Sequence, residues 1–300
     1  MSAQGRPAVV RIRDVGPRDG LQVEAPVSVE ARVALVEALV AAGVQEVEAA
    51  AFVSPSAVPA MAGAAEVMAT ISRRPDVRYG ALVPNLRGAQ LALEAGADAL
   101  SVTVSASPEY NRRNVRMSID ESVAQVTSIA AAVGGVPVDV VVSCAFGSPY
   151  EGDISPEAVG GLGDQVLGAG ATSLTYADTT GMATPRRIDE LLDEVGVDVG
   201  LHLHETRGTA LVNAYAALER GVARFDTSVG GLGGSPFAAG SAGNLATEDL
   251  VHLLDDLGVT TGVNLGRLLE ASALAARTVG HDVPSRVAAA GPRSRLIDAR

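Results

Sequence analysis

Two histidines spaced two residues apart are the strongest candidates for chemistry in this sequence. His202 and His204 stand in the stretch LHLHE, at the end of a segment with the composition of a β-strand. Because side chains alternate along a strand, both imidazoles face the same side. Half of the four histidines therefore point together, which is typical of a metal site; the alternative is a pair of hydrogen-bonded core histidines. We interpret His252 and His281 as surface residues.

A divalent cation bound by two imidazoles needs further oxygen ligands. Asp19, after the first predicted strand, and Asn244, after the last, can supply a carboxylate and an amide oxygen. Ligands without thiolate suit Mg²⁺ or Mn²⁺ and leave positions for a chelating substrate, whereas zinc is less favoured. The single cysteine, Cys144, excludes a thiolate zinc cage and an internal disulfide, and we interpret it as a small buried residue. Spacing alone does not show that Asp19 and Asn244 meet the histidines.

The elements that would position these residues follow a repeating order. Apolar, β-branched segments alternate with amphipathic segments about eight times, which is typical of parallel strands connected by helices. The predicted strands are Val9 to Val15, Val44 to Phe52, Val77 to Val83, Ala99 to Ser105, Val138 to Phe146, Ser173 to Asp178, Val199 to His204 and Arg224 to Val229.

Eight such units in 300 residues favour a (β/α)8 TIM barrel over a doubly wound sheet, since no GxGxxG motif opens the first helix. We expect one catalytic domain over residues 1–300. The barrel would occupy about residues 8–243, and additional C-terminal helices about residues 244–280. Residues 281–300 are predicted to form a polar tail.

Several charged residues lie near the carboxyl ends of the predicted strands, where TIM barrels carry their catalytic groups. Arg18 and Asp19 follow the first strand in the stretch VGPRDGLQ, in which Gly and Pro indicate a turn. Glu48 lies on the second strand, and Asp178 ends the sixth. These residues are candidates for a site, although adjacent charges after a strand are also typical of an ordinary solvated turn.

The composition narrows the class of protein. The formal net charge of −12 disfavours nucleic acid and anionic membranes as partners. All 23 basic residues are arginine, which excludes a lysine Schiff base and the lysine of a Walker A loop. The apolar runs are shorter than the roughly 18 residues of a membrane span, and the first residues lack the apolar block of a secretory signal. We therefore expect a cytoplasmic protein.

Seven motifs, in order along nearly the whole chain, resemble those of 3-hydroxy-3-methylglutaryl-CoA (HMG-CoA) lyases. These enzymes belong to the metal-dependent lyase and synthase barrels. The motifs are VGPRDGLQ at 15–22, FVSPSAVPAM at 52–61, VPNLRG at 83–88, SCAFGSPYEGDISP at 143–156, DTTGMATP at 178–185, HLHET at 202–206 and GLGGSPFAAGSAGNLATEDL at 231–250.

The resemblance implies a divalent metal, Mg²⁺ or Mn²⁺, and a retro-aldol cleavage. Its protein ligands would be Asp19, His202, His204 and Asn244. Arg18 would stabilise the thioester or enolate oxygen on which negative charge develops. Glu48 would belong to the polar surroundings of the metal or act as a structural partner of Arg18, and His202 would also serve in proton transfer. For Asp178 we favour a structural role in the turn after the sixth strand.

Five positions depart from the motifs of the family. Ser235, a candidate catalytic residue, replaces a cysteine implicated in proton transfer, and a hydroxyl is a far poorer acid than a thiol. Ser148 replaces a second cysteine. Glu205 and Arg207 change the run after the histidines, and Val23 stands where the family commonly has asparagine. Because these positions cluster at the rim of the expected site, they favour a shifted acyl specificity.

An acyl-CoA substrate requires cationic groups for its phosphates. Arg112, Arg113 and Arg116 follow the fourth strand at the expected mouth of the barrel and are candidates for this role, with a solvated turn as the alternative. The glycine run GGLGG at 230–234 suits a loop that closes over substrate, or a tight structural turn. The resemblance also implies a homodimer.

The leading hypothesis is a metal-dependent carbon–carbon lyase that cleaves HMG-CoA to acetyl-CoA and acetoacetate. The second is a sister lyase or aldolase acting on another 3-hydroxy-3-substituted acyl-CoA or a related 3-hydroxy acid. A Claisen-type synthase is third, because such relatives usually carry extra C-terminal domains that 300 residues cannot hold. A catalytically silent metal- or CoA-binding homologue is the alternative outside enzymes; the complete ligand set opposes it, and Ser235 supports it.

Overall fold

Eight parallel strands close into a barrel in the computed structural model, which describes residues 5–234 and 243–295. Each strand pairs with the next along the chain, and the first strand pairs with the last. The strands are β1 Arg11–Asp14, β2 Glu46–Ala51, β3 Arg78–Leu82, β4 Ala99–Ser105, β5 Val138–Ser143, β6 Ser173–Ala177, β7 Gly200–His202 and β8 Arg224–Thr227. All eight lie within the predicted ranges, so the (β/α)8 TIM barrel is confirmed.

Helices surround this barrel, and most begin at a side chain that accepts a backbone N–H bond. Ser118 and Glu121 form a capping box at the start of one helix, and Pro156 and Pro185 are each the first residue of another. The helices are α1 Val29–Ala41, α2 Ala64–Thr70, α3 Leu86–Glu94, α4 Pro108–Val115, α5 Ile119–Ala132, α6 Pro156–Gly168, α7 Pro185–Val195, α8 Ala210–Arg220, α9 Thr247–Asp256, α10 Leu265–Val279 and α11 Arg286–Ala290.

The C-terminal region contains one helix that the sequence did not predict. The predicted additional helices are present as α9 and α10. The segment predicted as a polar tail, residues 281–300, contains α11. Its first turn is held by Asp249 of α9, whose Oδ1 accepts bonds from the Ser285 hydroxyl at 2.9 Å and the Val287 N–H at 2.8 Å. This anchor comes from 36 residues earlier in the chain, so local composition did not reveal it.

The apolar core lies mainly between the strands and the surrounding helices. Leu35 and Leu39 of α1, and Ile188 and Leu191 of α7, are completely or almost completely buried. Burial of such a side chain stabilises a fold by roughly 1.5–3 kcal/mol. The packed outer layer thus supports the strands whose ends carry the polar residues of the site.

The interior of the barrel contains buried charges as well as apolar side chains. Arg13 on β1 donates from Nε and Nη2 to the two carboxylate oxygens of Asp226 on β8, both at 2.8 Å. Its Nη2 also lies 2.9 Å from Oδ2 of Asp139 on β5. These side chains meet across the barrel, whereas branched apolar residues usually fill such interiors. The ion-pair network therefore links three strands below the carboxyl end of the barrel.

Candidate metal centre and active site

A tight turn after β1 positions Arg18 and Asp19 at the carboxyl end of the barrel. Residues Gly16–Gly20 form one π-helical turn, in which successive N–H groups donate to the carbonyl of Val15. Glycine is required at position 16, because a Cβ there would lie 2.7 Å from Cγ1 of Val229. The motif VGPRDG is thus a buried, ordered turn rather than a solvated one.

Asp19 meets the two histidines of the LHLHE segment. His202 is the last residue of β7, and His204 forms an isolated β-bridge with Asn244. One potential ligand atom from each of Asp19, His202 and His204 lies within 4.8 Å of the others. The two Nε2 atoms are 3.1 Å apart, and Asp19 Oδ2 is 4.0 Å from Nε2 of His202. All three residues are buried, so the arrangement could hold one metal ion.

Asn244 adds a fourth group to this cluster, which we call the metal cluster (Asp19, His202, His204 and Asn244). Its Nδ2 donates to Asp19 Oδ2 at 2.7 Å and to the carbonyl of Leu232 at 3.0 Å. Its Oδ1 is buried and has no hydrogen-bond partner among the described residues. A buried oxygen normally has a partner, and amide oxygens are ligands of hard divalent cations. The residues present therefore fit a divalent metal site.

Neighbouring charges shift the pKa values of Asp19 and His202 in the metal cluster. Burial alone would raise the pKa of Asp19, but the Arg18 guanidinium and the two imidazoles hold that pKa below its usual value. Burial would lower the pKa of His202, whereas its contacts with Asp226 and Asp19 raise the pKa above its usual value. Asp19 is thus ionised at neutral pH, and a proton on His202 would compete with a bound metal.

Arg18 is fixed by two carboxylates. Its Nε donates to Glu48 of β2, and its Nη1 donates to Oδ1 of Asp19. Gln22, which the sequence did not nominate, donates from Nε2 to the same Asp19 oxygen at 2.9 Å. Arg18 and Glu48 are both buried. Glu48 is therefore a structural partner of Arg18, which is one of the two roles considered for it. This contact holds the Arg18 guanidinium beside the metal cluster.

The two carboxylate oxygens of Asp178 have different surroundings. Its Oδ1 accepts bonds from the N–H groups of Met182 and Ala183 at 2.6 and 3.0 Å, which orders the turn after β6 as expected. Its Oδ2 is buried, and no group within residues 5–234 or 243–295 forms a hydrogen bond with it. Burial raises the pKa of Asp178 to about 7, and the bonds from the Ala183 and Met182 N–H groups, with smaller contributions from Arg207 and His202, offset this increase only in part. The structural role therefore involves only one of the two carboxylate oxygens.

The three arginines proposed for CoA are exposed residues at the end of α4. Arg112 and Arg113 both pair with Glu109, one turn earlier in the same helix, at 2.8 Å. The Arg113 guanidinium also lies 4.6 Å from the centre of the Tyr150 ring. Arg116 ends the helix in a left-handed conformation with φ of 59°. The arginines are therefore accessible, but the structure pairs two of them locally.

The positions that depart from the family motifs have different surroundings. Ser235 lies outside the described residues. Ser148 donates to Glu151, and Arg207 donates from Nη1 to the carbonyls of Thr180 and Gly181 at 2.8 and 2.7 Å. Arg207 therefore ties the segment after β7 to the turn after β6. Val23 is 43% exposed.

The single cysteine and the two remaining histidines lie outside the metal cluster. Cys144 is buried, and burial raises the pKa of its thiol to about 12, which fits its interpretation as a small buried residue. His281 is exposed, and its Nε2 lies 3.0 Å from Glu24 Oε2. His252, predicted at the surface, is half-buried on α9.

Fold and site together define a TIM-barrel protein whose strand ends carry a carboxylate, two imidazoles and an amide oxygen suited to a divalent cation. The HMGL-like family model matches residues 9–275, and the chain belongs to this family. In the described ranges, no helix combines the length and apolar character that a membrane crossing requires.

Known relatives agree with this assignment. The chain is 43% identical over 292 residues to the mitochondrial hydroxymethylglutaryl-CoA lyase of Bos taurus, covering 95% of this chain and 90% of the relative. It is 41% identical over 292 residues to the 3-hydroxy-3-isohexenylglutaryl-CoA/hydroxymethylglutaryl-CoA lyase of Pseudomonas aeruginosa, covering 95% and 97%.

A solved structure extends the likeness to the whole fold. The HMG-CoA lyase of Acinetobacter baumannii, in complex with coenzyme A and 3-methylmalate, superposes with a TM-score of 0.93 at 39% identity and covers 98% of both chains. The resemblance to HMG-CoA lyases, the fold and the carbon–carbon lyase class predicted from the sequence are thereby confirmed.

Proposed function

We propose that this protein is a divalent-metal-dependent lyase that cleaves HMG-CoA to acetyl-CoA and acetoacetate. The observation that carries the proposal is the buried convergence of Asp19, His202 and His204 beside an Asn244 oxygen that has no hydrogen-bond partner within the described ranges. The relatives from Bos taurus and Pseudomonas aeruginosa, named for this activity, support the choice of substrate.

The metal cluster would bind the cation, and Arg18 would stabilise the negative charge that develops on the thioester oxygen. A divalent cation held by these residues would supply a Lewis acid for the hydroxyl and carboxylate oxygens of the substrate. Arg18, held by Glu48 and Asp19, presents its guanidinium to the thioester oxygen. When the bond between C2 and C3 breaks, its electron pair moves into the thioester enolate, and the C3 alkoxide becomes the ketone of acetoacetate. The fixed guanidinium stabilises that enolate.

Two proton movements complete the reaction, and we assign Asp178 to one of them. A base must take the proton of the C3 hydroxyl, and an acid must protonate the enolate carbon to give acetyl-CoA. Both ring nitrogens of His202 have partners, Asp226 at Nδ1 and His204 at Nε2. Asp178 Oδ2 has none in the part of the chain that the structure describes, so it is the better candidate for the base. For the acid, Ser235 stays the prediction made from the sequence.

A second candidate is a sister lyase acting on an acyl-CoA with a larger group at C3. The relative from Pseudomonas aeruginosa is named for two acyl-CoAs that differ in this group. Exposed Val23 and the changed residues Glu205 and Arg207 support a different substrate rim. The CoA part would be common to both substrates, with Arg112, Arg113 and Arg116 as its phosphate-binding candidates.

Product analysis separates the two candidates. Purified protein with Mn²⁺ would receive equal concentrations of HMG-CoA and of a 3-hydroxyglutaryl-CoA with a longer alkenyl group at C3, and mass spectrometry would identify the products. We expect acetyl-CoA and acetoacetate from HMG-CoA at the higher kcat/KM. Preferential cleavage of the alkenyl substrate would support the sister lyase, and cleavage of neither substrate with metal bound would indicate a silent homologue.

The expected homodimer and cytoplasmic location stay predictions. Size-exclusion chromatography with light scattering should give twice the chain mass of 30.4 kDa. A mass of one chain at micromolar concentration would contradict the dimer.

A further inference from the structure

His202 contacts a second carboxylate on the side of the ring away from the metal cluster. Asp226 is its register partner on the neighbouring strand β8, and Asp226 Oδ2 lies 3.3 Å from Nδ1 of His202. The other ring nitrogen, Nε2, lies near His204 and Asp19, at 3.1 and 4.0 Å. The ring of His202 therefore lies between Asp226 on one side and His204 and Asp19 on the other, with one nitrogen directed to each side.

Arg13 holds this carboxylate in place. It contacts both Asp226 oxygens, from Nε and Nη2 at 2.8 Å, and such two-point pairing fixes orientation as well as position. The Nη2 group is shared with Asp139 at 2.9 Å. Asp139 in turn accepts bonds from Ser173 at 2.6 Å and Thr175 at 2.8 Å. A connected chain of polar contacts thus runs through the barrel interior from β6 to His202.

The contact can determine which nitrogen of His202 carries the proton. A carboxylate only accepts hydrogen bonds, so a neutral His202 beside Asp226 places its proton on Nδ1. The lone pair is then on Nε2, which faces the metal cluster. Partners of this kind orient metal-binding histidines, and their loss typically weakens metal affinity by about 10- to 100-fold.

We propose that Asp226 is a positioning residue that fixes His202 in its metal-binding tautomer, and that Arg13 fixes Asp226. Neither residue belongs to the metal cluster, so both would act on the cation through His202. The inference rests on the proposed metal site, but not on the identity of the acyl substrate.

Asp226→Asn is the decisive variant. Arg13 presents N–H groups to both positions now held by carboxylate oxygens, and an amide has only one oxygen. With its oxygen toward Arg13 Nε, the amide NH₂ faces His202 Nδ1 and moves the proton to Nε2. A buried aspartate that orients a catalytic histidine shows the same consequence when replaced by asparagine. Asp139→Asn is the matched control, because Asp139 contacts Arg13 and belongs to the same buried network without contacting His202.

Mn²⁺ binding to metal-stripped protein, measured by electron paramagnetic resonance without substrate, tests the inference. We expect Asp226→Asn to raise Kd by about 10- to 100-fold and Asp139→Asn to raise it less than about threefold. Nitrogen NMR of ¹⁵N-histidine-labelled, Mg²⁺-loaded protein should show His202 protonated on Nδ1 in the wild type. Mg²⁺-free Asp226→Asn at high pH should show the proton on Nε2.

The outcomes separate this inference from the proposed function. Wild-type Mn²⁺ affinity and an unchanged tautomer in Asp226→Asn would overturn it, as would equal losses in Asp226→Asn and Asp139→Asn. A wild-type protein that binds Mn²⁺ tightly but does not cleave HMG-CoA would contradict only the proposed function. If Asp226→Asn does not fold, Arg13→Gln, which frees the Asp226 carboxylate to rotate, should weaken Mn²⁺ binding relative to Asp139→Asn, and no difference would overturn the inference.

Discussion

The metal cluster and the arginines of α4 are two polar regions that differ in how they are held. The cluster is buried and joins segments far apart in sequence, for example Asn244 and Asp19, 225 residues apart. Arg112 and Arg113 have side chains that are 59% and 53% exposed, and they pair with a glutamate of their own helix. Exposed ion pairs contribute little to stability, whereas a buried charge without a partner is costly. The first region is organised before a ligand arrives, and the second can rearrange around one.

The largest effect should follow from a change within the cluster. His204→Ala removes one of the imidazoles, so Mn²⁺ binding and the Lewis-acid contribution should be lost together. We expect kcat to fall by about 1000-fold, equivalent to roughly 4 kcal/mol. His252→Ala, which removes a half-buried histidine of α9, is the control and should keep wild-type metal binding. Tight Mn²⁺ binding by His204→Ala would show that the cluster is not the metal site.

Asp178 tests whether the buried region separates metal binding from proton transfer. Asp178→Asn keeps an oxygen for the N–H groups of Met182 and Ala183 but cannot act as a base. We expect kcat on HMG-CoA to fall by about 100-fold, with Mn²⁺ affinity within about threefold of the wild type. Steady-state kinetics and metal titration measure the two quantities. Unchanged kcat would limit Asp178 to the turn.

The exposed region should show a smaller effect of a different kind. Arg112→Ala combined with Arg113→Ala removes two cations from the candidate phosphate site. We expect KM for the acyl-CoA to rise by about 3- to 10-fold with little change in kcat, because the loss of a contact worth about 1 kcal/mol changes affinity by this factor. Arg78→Ala, at the start of β3 and paired with Glu46 at 3.6 Å, is the control. An unchanged KM would place the CoA phosphates elsewhere.

The smallest effect concerns pH and a buried carboxyl group. Glu248, which accepts the Gly230 N–H at 2.9 and 3.0 Å, is fully buried, and burial raises its pKa to about 8. Between about pH 5 and 8 the unfolded chain loses this proton while the folded protein keeps it, so stability falls as pH rises. Glu248→Gln should remove this loss of stability. The decrease in Tm from pH 5 to pH 8 should therefore be smaller in Glu248→Gln than in the wild type by at least about 2 °C.

The matched control for that measurement is Glu109→Gln on exposed α4. Its carboxylate pairs with arginines at the surface, so its effect on the pH dependence of Tm should be small. Thermal unfolding at the two pH values compares the variants. An identical pH dependence in Glu248→Gln and the wild type would show that Glu248 does not titrate in this window.

Sequence periodicity was sufficient for some parts of the site. The alternation of side chains on one strand placed His202 and His204 together, and the eight repeated units predicted the barrel that brings Asp19 and Asn244 to them. The first inference uses the alternation of side chains along one strand, and the second uses the repetition of strand–helix units along the chain. They succeed because parallel strands in a barrel end on the same side.

The parts that the sequence did not reveal depend on specific long-range pairings. Arg13 and Asp226 are charged residues inside strands, and their contact joins positions 213 residues apart. Because the side chains inside a barrel are expected to be apolar, neither Arg13 nor Asp226 was predicted as part of the site. The two different oxygens of Asp178 and the Asp249 anchor of α11 likewise depend on neighbours that only the folded chain brings close.

The most direct test of the central claim is acetyl-CoA release from HMG-CoA by metal-stripped protein, before and after addition of Mn²⁺, with Asp19→Ala measured in parallel. The wild type should show no release without metal and full turnover with it, while Asp19→Ala should show none in either case. Turnover by the stripped wild type, or metal-stimulated turnover by Asp19→Ala close to that of the wild type, would contradict a lyase that acts through the metal cluster.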